Sequence, residues 1–407
     1  MKITTFIKHF FYRVFQFFLY LFSFLYRFEE PKVYRGLNHP QRVIEILRYH
    51  QLNHPIIVTD AGIVQLGLHE PLIAILKAKQ IAFSIFDQTS VNPTLQNIED
   101  AFTLYQRDGC DSIIGFGGGS SIDCAKGVMV KLTHPKKNLK QLKGLLRVGK
   151  RQGFMIAIPT TAGTGSEATV ALVVSNPETH EKYAISDPHL IPDYALLDPA
   201  LTVSLPPALT AYTGMDAFTH AVEAYLNLFQ TSQSKPKALN AIRLIHQHLI
   251  KAYKKSHDMP ARQGMLEASY QAGVVFTRVY VGYVHCIAHT LGGFYHVNHG
   301  LANAVILPHV LRAYGSSVHA SLAELAYVVG VASALKTNQQ NATAFIQYIE
   351  RLNEQLGIGK TFKGIIQVQD IPTLIKRALE EGNPLYPVPR VLEYEQLKKV
   401  YLVIKED

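Results

Sequence analysis

Two stretches of this 407-residue chain gather side chains suited to a divalent cation. Gly214-Met-Asp-Ala-Phe-Thr-His220 places Asp216 and His220 four residues apart, on one face of a helix. Val284 to Gly300 carries His285, His289, His296 and His299 in an apolar, glycine-punctuated run where solvated histidines are not expected to collect. A single buried histidine is most often a core residue satisfied by a backbone carbonyl. A cluster is different: burying Asp216 without compensation is costly, and a cation stabilises the carboxylate and neutral imidazoles together. Imidazoles with one carboxylate suit Fe(II) or Zn(II) and match calcium or magnesium poorly. The three cysteines, Cys110, Cys124 and Cys286, form no CxxC, which argues against a thiolate zinc site and a disulfide framework and for a reducing compartment.

A second kind of chemistry sits earlier. The apolar run Ser112 to Phe116 passes directly into Gly117-Gly-Gly-Ser-Ser-Ile-Asp123. Glycines let a backbone approach a ligand closely, Ser120 is placed to cap a following helix, and helix N–H groups favour a pyrophosphate. Asp123 falls one turn inside that helix, where a carboxylate is electrostatically favoured with or without a function. Phe154 to Ile158 likewise ends in Pro159-Thr-Thr-Ala-Gly-Thr-Gly-Ser-Glu167, offering Thr160, Thr161 and Thr164 to phosphate, ribose or nicotinamide. Neither loop is a G-x-G-x-x-G fingerprint, and a tight turn without ligand remains an alternative for each.

The elements that must position these groups alternate in type. Helix 40–52, strand 56–59 ending at Asp60, strands at 82–86, 112–116 and 154–158, and a last strand within 187–198 describe an α/β domain over 31–205. Pro206-Pro207 opens a persistently helical half, 206–407, with helices expected near 210–229, 237–254, 262–276, 285–295, 318–334 and 342–356. Both glycine-rich loops lie in the first domain and both cation-binding stretches in the second, so an active site is expected in a cleft between them.

Residues 1–30 form an appendage. Phe6 to Phe28 is crowded with aromatic residues, and its apolar core, Val14 to Tyr26, is too short as a helix for a ~30 Å hydrocarbon layer. Lys8, Tyr12, Gln16, Tyr20, Ser23 and Arg27 make a polar stripe, the period of an amphipathic helix. Peripheral membrane contact through residues 6–28 and packing on the body or a second subunit both fit; no small-residue signal-peptidase site follows. The net charge of +9 is concentrated between Lys131 and Arg151, eight basic residues with no acid. Without an aromatic platform or recognition motif this excludes a nucleic-acid partner, leaving a solvated face or an anionic membrane surface.

Taken together, the four motifs Gly117–Asp123, Pro159–Glu167, Gly214–His220, and His285-Cys-Ile-Ala-His289 with His299-Gly300 resemble the iron-containing (group III) alcohol dehydrogenases from about Val33 to the C-terminus. The resemblance implies a Rossmann-like N-terminal domain and a helical C-terminal domain, as in dehydroquinate synthase. It carries the metal onto Asp216, His220, His285 and His299, and sets His289 beside nicotinamide and substrate. It places Gly118, Gly119 and Ser120 on the pyrophosphate loop, Asp123 near the nicotinamide, Thr160, Thr161 and Thr164 on the cofactor cleft, Lys182 on the cofactor side and Asp60 on the adenosine ribose. A carboxylate there repels a 2′-phosphate, favouring NAD over NADP. The implied activity is hydride transfer between a primary alcohol or aldehyde and NAD(H), assisted by Fe2+ or Zn2+, in a cytoplasmic homo-oligomer such as a dimer, at the inner face of a membrane if the helix binds lipid. Alternatives are a glycerol dehydrogenase or maleylacetate reductase type, and a membrane-associated binding protein without turnover. Asn298 departs from the proline common before the last histidine, which is expected to loosen that turn.

Overall fold

The computed structural model describes residues 3–23, 28–176 and 181–406; Arg27 of the polar stripe lies outside them. Its contacts group into two units. One contains Phe28–Leu205 and Ser256–Thr277, the other Met1–Arg27, Pro206–Lys255 and Arg278–Asp407.

In the first unit, strands β1 (Lys32–Arg35), β2 (Pro55–Val58), β3 (Ser84–Phe86), β4 (Ser112–Gly117), β6 (Met155–Pro159) and β9 (Tyr194–Leu197) form a parallel sheet ordered β1-β9-β6-β4-β2-β3. Successive residues enter opposite cores: Ile56, Ile113 and Met155 join one apolar cluster, and Ile57, Ile114 and Ile156 the other. That two-sided burial is why these strands read as continuous apolar runs rather than alternating ones. From β2 the chain first moves outward to β3 and then returns to β4 on the other side of β2. The C-terminal ends of β2 and β4 therefore flank a topological switch point, the place where open α/β sheets bind ligands.

A small sheet, β5 (Gly144–Leu145), β8 (Glu181–Ser186) and β7 (Ala171–Asn176), was not expected from the sequence; β7 and β8 pair antiparallel. The basic segment is not one solvated face. Lys131 is buried against Phe102 and pairs with Glu99 at 2.8 Å, and Arg151 holds the Ile191 carbonyl and Asp193. Lys136, Lys137, Lys140, Lys143, Arg147 and Lys150 are exposed.

The helix Met259–Val279 belongs mostly to this unit. Gly273 and Gly165 meet so closely that a Cβ on Gly273 would lie 2.7 Å from the Gly165 oxygen. Arg35 pairs with Glu267 at 2.6 Å on the same helix.

The second unit is helical among its described residues. Pro207–Leu226 is buried on all sides from Gly214 onward, an interior helix entered through a proline at its first turn. Tyr283–Tyr295 and His299–Tyr314 pack beside it. Asn298 caps His299–Tyr314 by accepting from the Gly300 and Leu301 N–H groups at 3.1 and 3.3 Å, so it fixes the turn it was expected to loosen. The N-terminal helix Ile3–Ser23 is seated on this unit by its polar side: Gln16, buried, donates to the Pro384 and Tyr386 carbonyls at 2.8 Å each.

Candidate functional site

Asp216 and His220 project from the interior helix, His285 from Tyr283–Tyr295, and His299 from the first turn of His299–Tyr314. One donor atom from each lies within 4.8 Å of the others. Asp216 Oδ1 is 3.4 Å from His299 Nε2 and 3.9 Å from His285 Nε2. The His220 and His285 rings stack at 4.4 Å.

The surroundings prepare these atoms for a cation. Glu223 Oε2 accepts from His285 Nδ1 at 2.6 Å, which leaves the Nε2 lone pair directed at the cluster. The same carboxylate accepts the Gly282 and Val284 N–H groups at 2.9 and 2.8 Å, closing the N-terminus of the helix that carries His285. Burial and the neighbouring histidines hold His285 well below its usual pKa, so it is neutral and able to ligate. Asn303 Nδ2 donates to Asp216 Oδ1 at 2.7 Å and stands 3.2 Å from both His285 Nε2 and His299 Nε2. A donor group aimed at one carboxylate oxygen and two imidazole nitrogens marks a point of converging lone pairs, which is what a divalent cation requires.

His289 stands beside this group. Its ring stacks on His299 at 5.1 Å, and its Nδ1 is 2.7 Å from Glu381 Oε1, which also accepts from the Tyr386 hydroxyl at 3.1 Å. His296 ends its helix in a left-handed conformation and has no place among the four donors.

In the α/β unit the glycine loop joins β4 to the helix Gly119–Thr133. Gly118 occupies the N-cap position without a side-chain cap, which corrects the expectation for Ser120: it lies inside the first turn and bonds the Val91 carbonyl. A Cβ on Gly117 would stand 2.6 Å from Ser121 Oγ, and one on Gly119 2.7 Å from Thr164 Cγ2. The threonine turn therefore abuts the glycine loop, with Thr160 N donating to Gly117 O at 2.9 Å and Thr161 beside Gly118. Uncapped N–H groups at a helix start fit a pyrophosphate.

Asp60 follows β2, caps the short helix Ala61–Gln65 through Ile63 N and accepts from Ser121 Oγ at 3.0 Å, beside the glycine loop. Asp123 is held inside the fold, accepting from Ser166 Oγ at 2.5 Å and Val173 N at 2.9 Å; burial raises its pKa against the pull of Lys126. Lys182 reaches Asn92 at 2.8 Å, next to the Val91 carbonyl that Ser120 holds.

Sequence reasoning missed Glu223, Asn303 and Glu381. The first two carried a signal: Glu223 follows His220 by three residues and Asn303 follows His299 by four, each on a ligand-bearing face. Glu381 lies too far along the chain from His289 for spacing to reveal it.

The switch-point glycine loop on the parallel sheet suits a dinucleotide, and the three-histidine, one-carboxylate cluster on buried helices suits a divalent cation. Residues 31–199 match the iron-containing alcohol dehydrogenase model and residues 210–404 the C-terminal model of the Fe-containing alcohol dehydrogenase family. The chain is 33% identical over 353 residues to alcohol dehydrogenase 4 of Schizosaccharomyces pombe, covering 85% of this chain and 81% of that protein. It is 36% identical over 331 residues to 1,3-propanediol dehydrogenase of Klebsiella pneumoniae, covering 81% and 85%. The crystal structure of a 1,3-propanediol oxidoreductase superposes with a TM-score of 0.88 at 33% identity, over 93% of this chain and 99% of that one. The chain belongs to the iron-containing alcohol dehydrogenase family, metal-dependent oxidoreductases that interconvert alcohols and aldehydes with NAD(H).

Proposed function

We propose that residues 31–205 bind NAD(H) and residues 206–407 hold Fe2+, with Zn2+ able to replace it, for the interconversion of a primary alcohol and its aldehyde. The observation that carries this reading is the convergence of Asp216, His220, His285 and His299. A metal held by these four residues would supply Lewis acidity, and a nicotinamide held by the glycine loop would supply hydride-transfer chemistry. The protein's part is positional. Glu223 and Asn303 orient donors, Gly118 and Gly119 offer an uncapped helix N-terminus to the pyrophosphate, and Asp60 disfavours a 2′-phosphate and so NADP. His289, with Nδ1 turned to Glu381, presents Nε2 to accept the hydroxyl proton.

The test is NADH formation by anaerobically prepared protein loaded with Fe(II) or Zn(II) and offered primary alcohols and diols. Metal-dependent turnover, lost in His285→Ala/His299→Ala, supports the assignment. Absence of turnover with any alcohol or aldehyde, despite bound metal and NAD, refutes it and favours the maleylacetate reductase type, and after it a role without turnover.

A further inference from the structure

The N-terminal helix is turned inside out relative to an ordinary surface helix. Its polar side faces the protein: Gln16 is buried on the Pro384 and Tyr386 carbonyls, Arg13 donates to the Val388 carbonyl at 2.9 Å, and His9 meets Glu393. Tyr20 packs on Phe229 at 5.1 Å from the same side. Its apolar side faces solvent, with Phe6, Phe10, Phe11, Phe15, Phe17 and Phe18 each between 46% and 64% exposed, accompanied by Ile7 and Leu21. At about 100° per residue these side chains, with Val14 among them, sweep roughly half the helix circumference, opposite the face that Gln16 and His9 turn inward.

So large a contiguous apolar face is not left to water in a soluble monomer. We propose that it docks the enzyme on an anionic membrane surface, lying in the interface plane with the phenylalanines among the acyl chains. Three observations select lipid as the occupant. The face is about twice as wide as the narrow seam by which one helix pairs with another, and it carries no polar side chain to set a register with a second copy. No acidic residue occurs in the first 28 positions, so the face meets anionic headgroups without like-charge repulsion from its own helix. Finally, no described helix is long and apolar enough to cross a membrane, which leaves the interfacial mode for this one.

The docked helix would grip the segment that serves the site. Gln16 holds the Tyr386 carbonyl, and the Tyr386 hydroxyl donates to Glu381, the partner of His289.

Flotation of the full chain with extruded vesicles tests it, using phosphatidylcholine alone and phosphatidylcholine mixed with phosphatidylglycerol. The variants are Phe10→Gln/Phe17→Gln/Phe18→Gln, in which a good helix former replaces each exposed ring, and the corresponding triple Phe→Leu. The expected result is binding to the anionic vesicles that falls at least about ten-fold in the Gln variant and is kept in the Leu variant, with thermal stability and metal content unchanged. Equal flotation of the wild type and the Gln variant overturns the proposal, and so does absence of wild-type binding. Binding as strong to phosphatidylcholine alone overturns the anionic preference. A dimer that the Gln variant dissociates, without flotation of the wild type, overturns it in favour of a second copy.

Discussion

Glu223 and His285 form a buried carboxylate–imidazole pair, Oε2 to Nδ1 at 2.6 Å, in which the acid on one helix fixes the ring on another. The contact settles two things at once. It sets the tautomer that exposes Nε2, and through Gly282 N and Val284 N it anchors the helix that carries His285.

Glu223→Gln keeps an acceptor for the helix N-terminus but weakens the hold on Nδ1. Removing an outer partner of this kind lowers metal affinity about 10- to 100-fold. Competition with a chelator, followed by metal analysis, should show that loss, while the melting temperature of the metal-free protein moves little. Unchanged affinity would mean that the carboxylate serves only as a helix anchor.

Gly119→Ala pushes a methyl group to within 2.7 Å of Thr164 Cγ2. The glycine loop must shift, and overpacking of this kind costs about 1–3 kcal/mol. Calorimetric titration should show NAD binding weakened about ten-fold or more, with metal content intact. Adding Thr164→Ala removes the two closest atoms, Cγ2 and Oγ1, and should restore part of the affinity.

Asp60→Ser retains a side chain able to cap Ala61–Gln65 and removes the charge beside Ser121. If the carboxylate selects against a 2′-phosphate, the ratio of kcat/KM for NADP to that for NAD rises about ten-fold or more in the variant. An unchanged ratio would show that Asp60 acts only as a cap.

The degree to which the chain could be read from sequence follows from its physics. Strands buried on both faces print unbroken apolar runs, so β2, β4 and β6 were legible, as was the helical half after Pro206-Pro207. The antiparallel pair Ala171–Asn176 and Glu181–Ser186 was not, because each strand is short and buries only alternate residues. The cation cluster was legible because Asp216 and His220 share a helix face and the histidines crowd one stretch. Glu223 and Asn303 were overlooked because a single carboxylate or amide on a helix is common. Periodicity revealed the amphipathic character of Ile3–Ser23 but not its orientation. Gln16, buried on two carbonyls, and Arg13, bonded to a third, show that the polar side is the inner one.

Glu167, in the threonine turn, is 1% exposed, and its Oε1 has no hydrogen-bond partner among the described residues. Burial pushes its carboxyl up to about 7 from an ordinary 4.5, against the opposing effects of its own backbone N–H and of Lys126. The folded state thus holds this proton more tightly than the unfolded chain. The stability it contributes is complete below about 4.5 and is lost as pH rises through about 7, an effect of up to about 3 kcal/mol. Lys126, lowered to about 8 by burial, has the opposite dependence: its share is lost as pH falls through about 8, so it is already constant across most of the window where Glu167 titrates. Glu167→Gln should therefore flatten the profile between pH 5 and 8. Thermal melts at those two values should show the wild type losing more stability on alkalinisation than the variant; parallel losses would mean that Glu167 does not change charge in the folded protein.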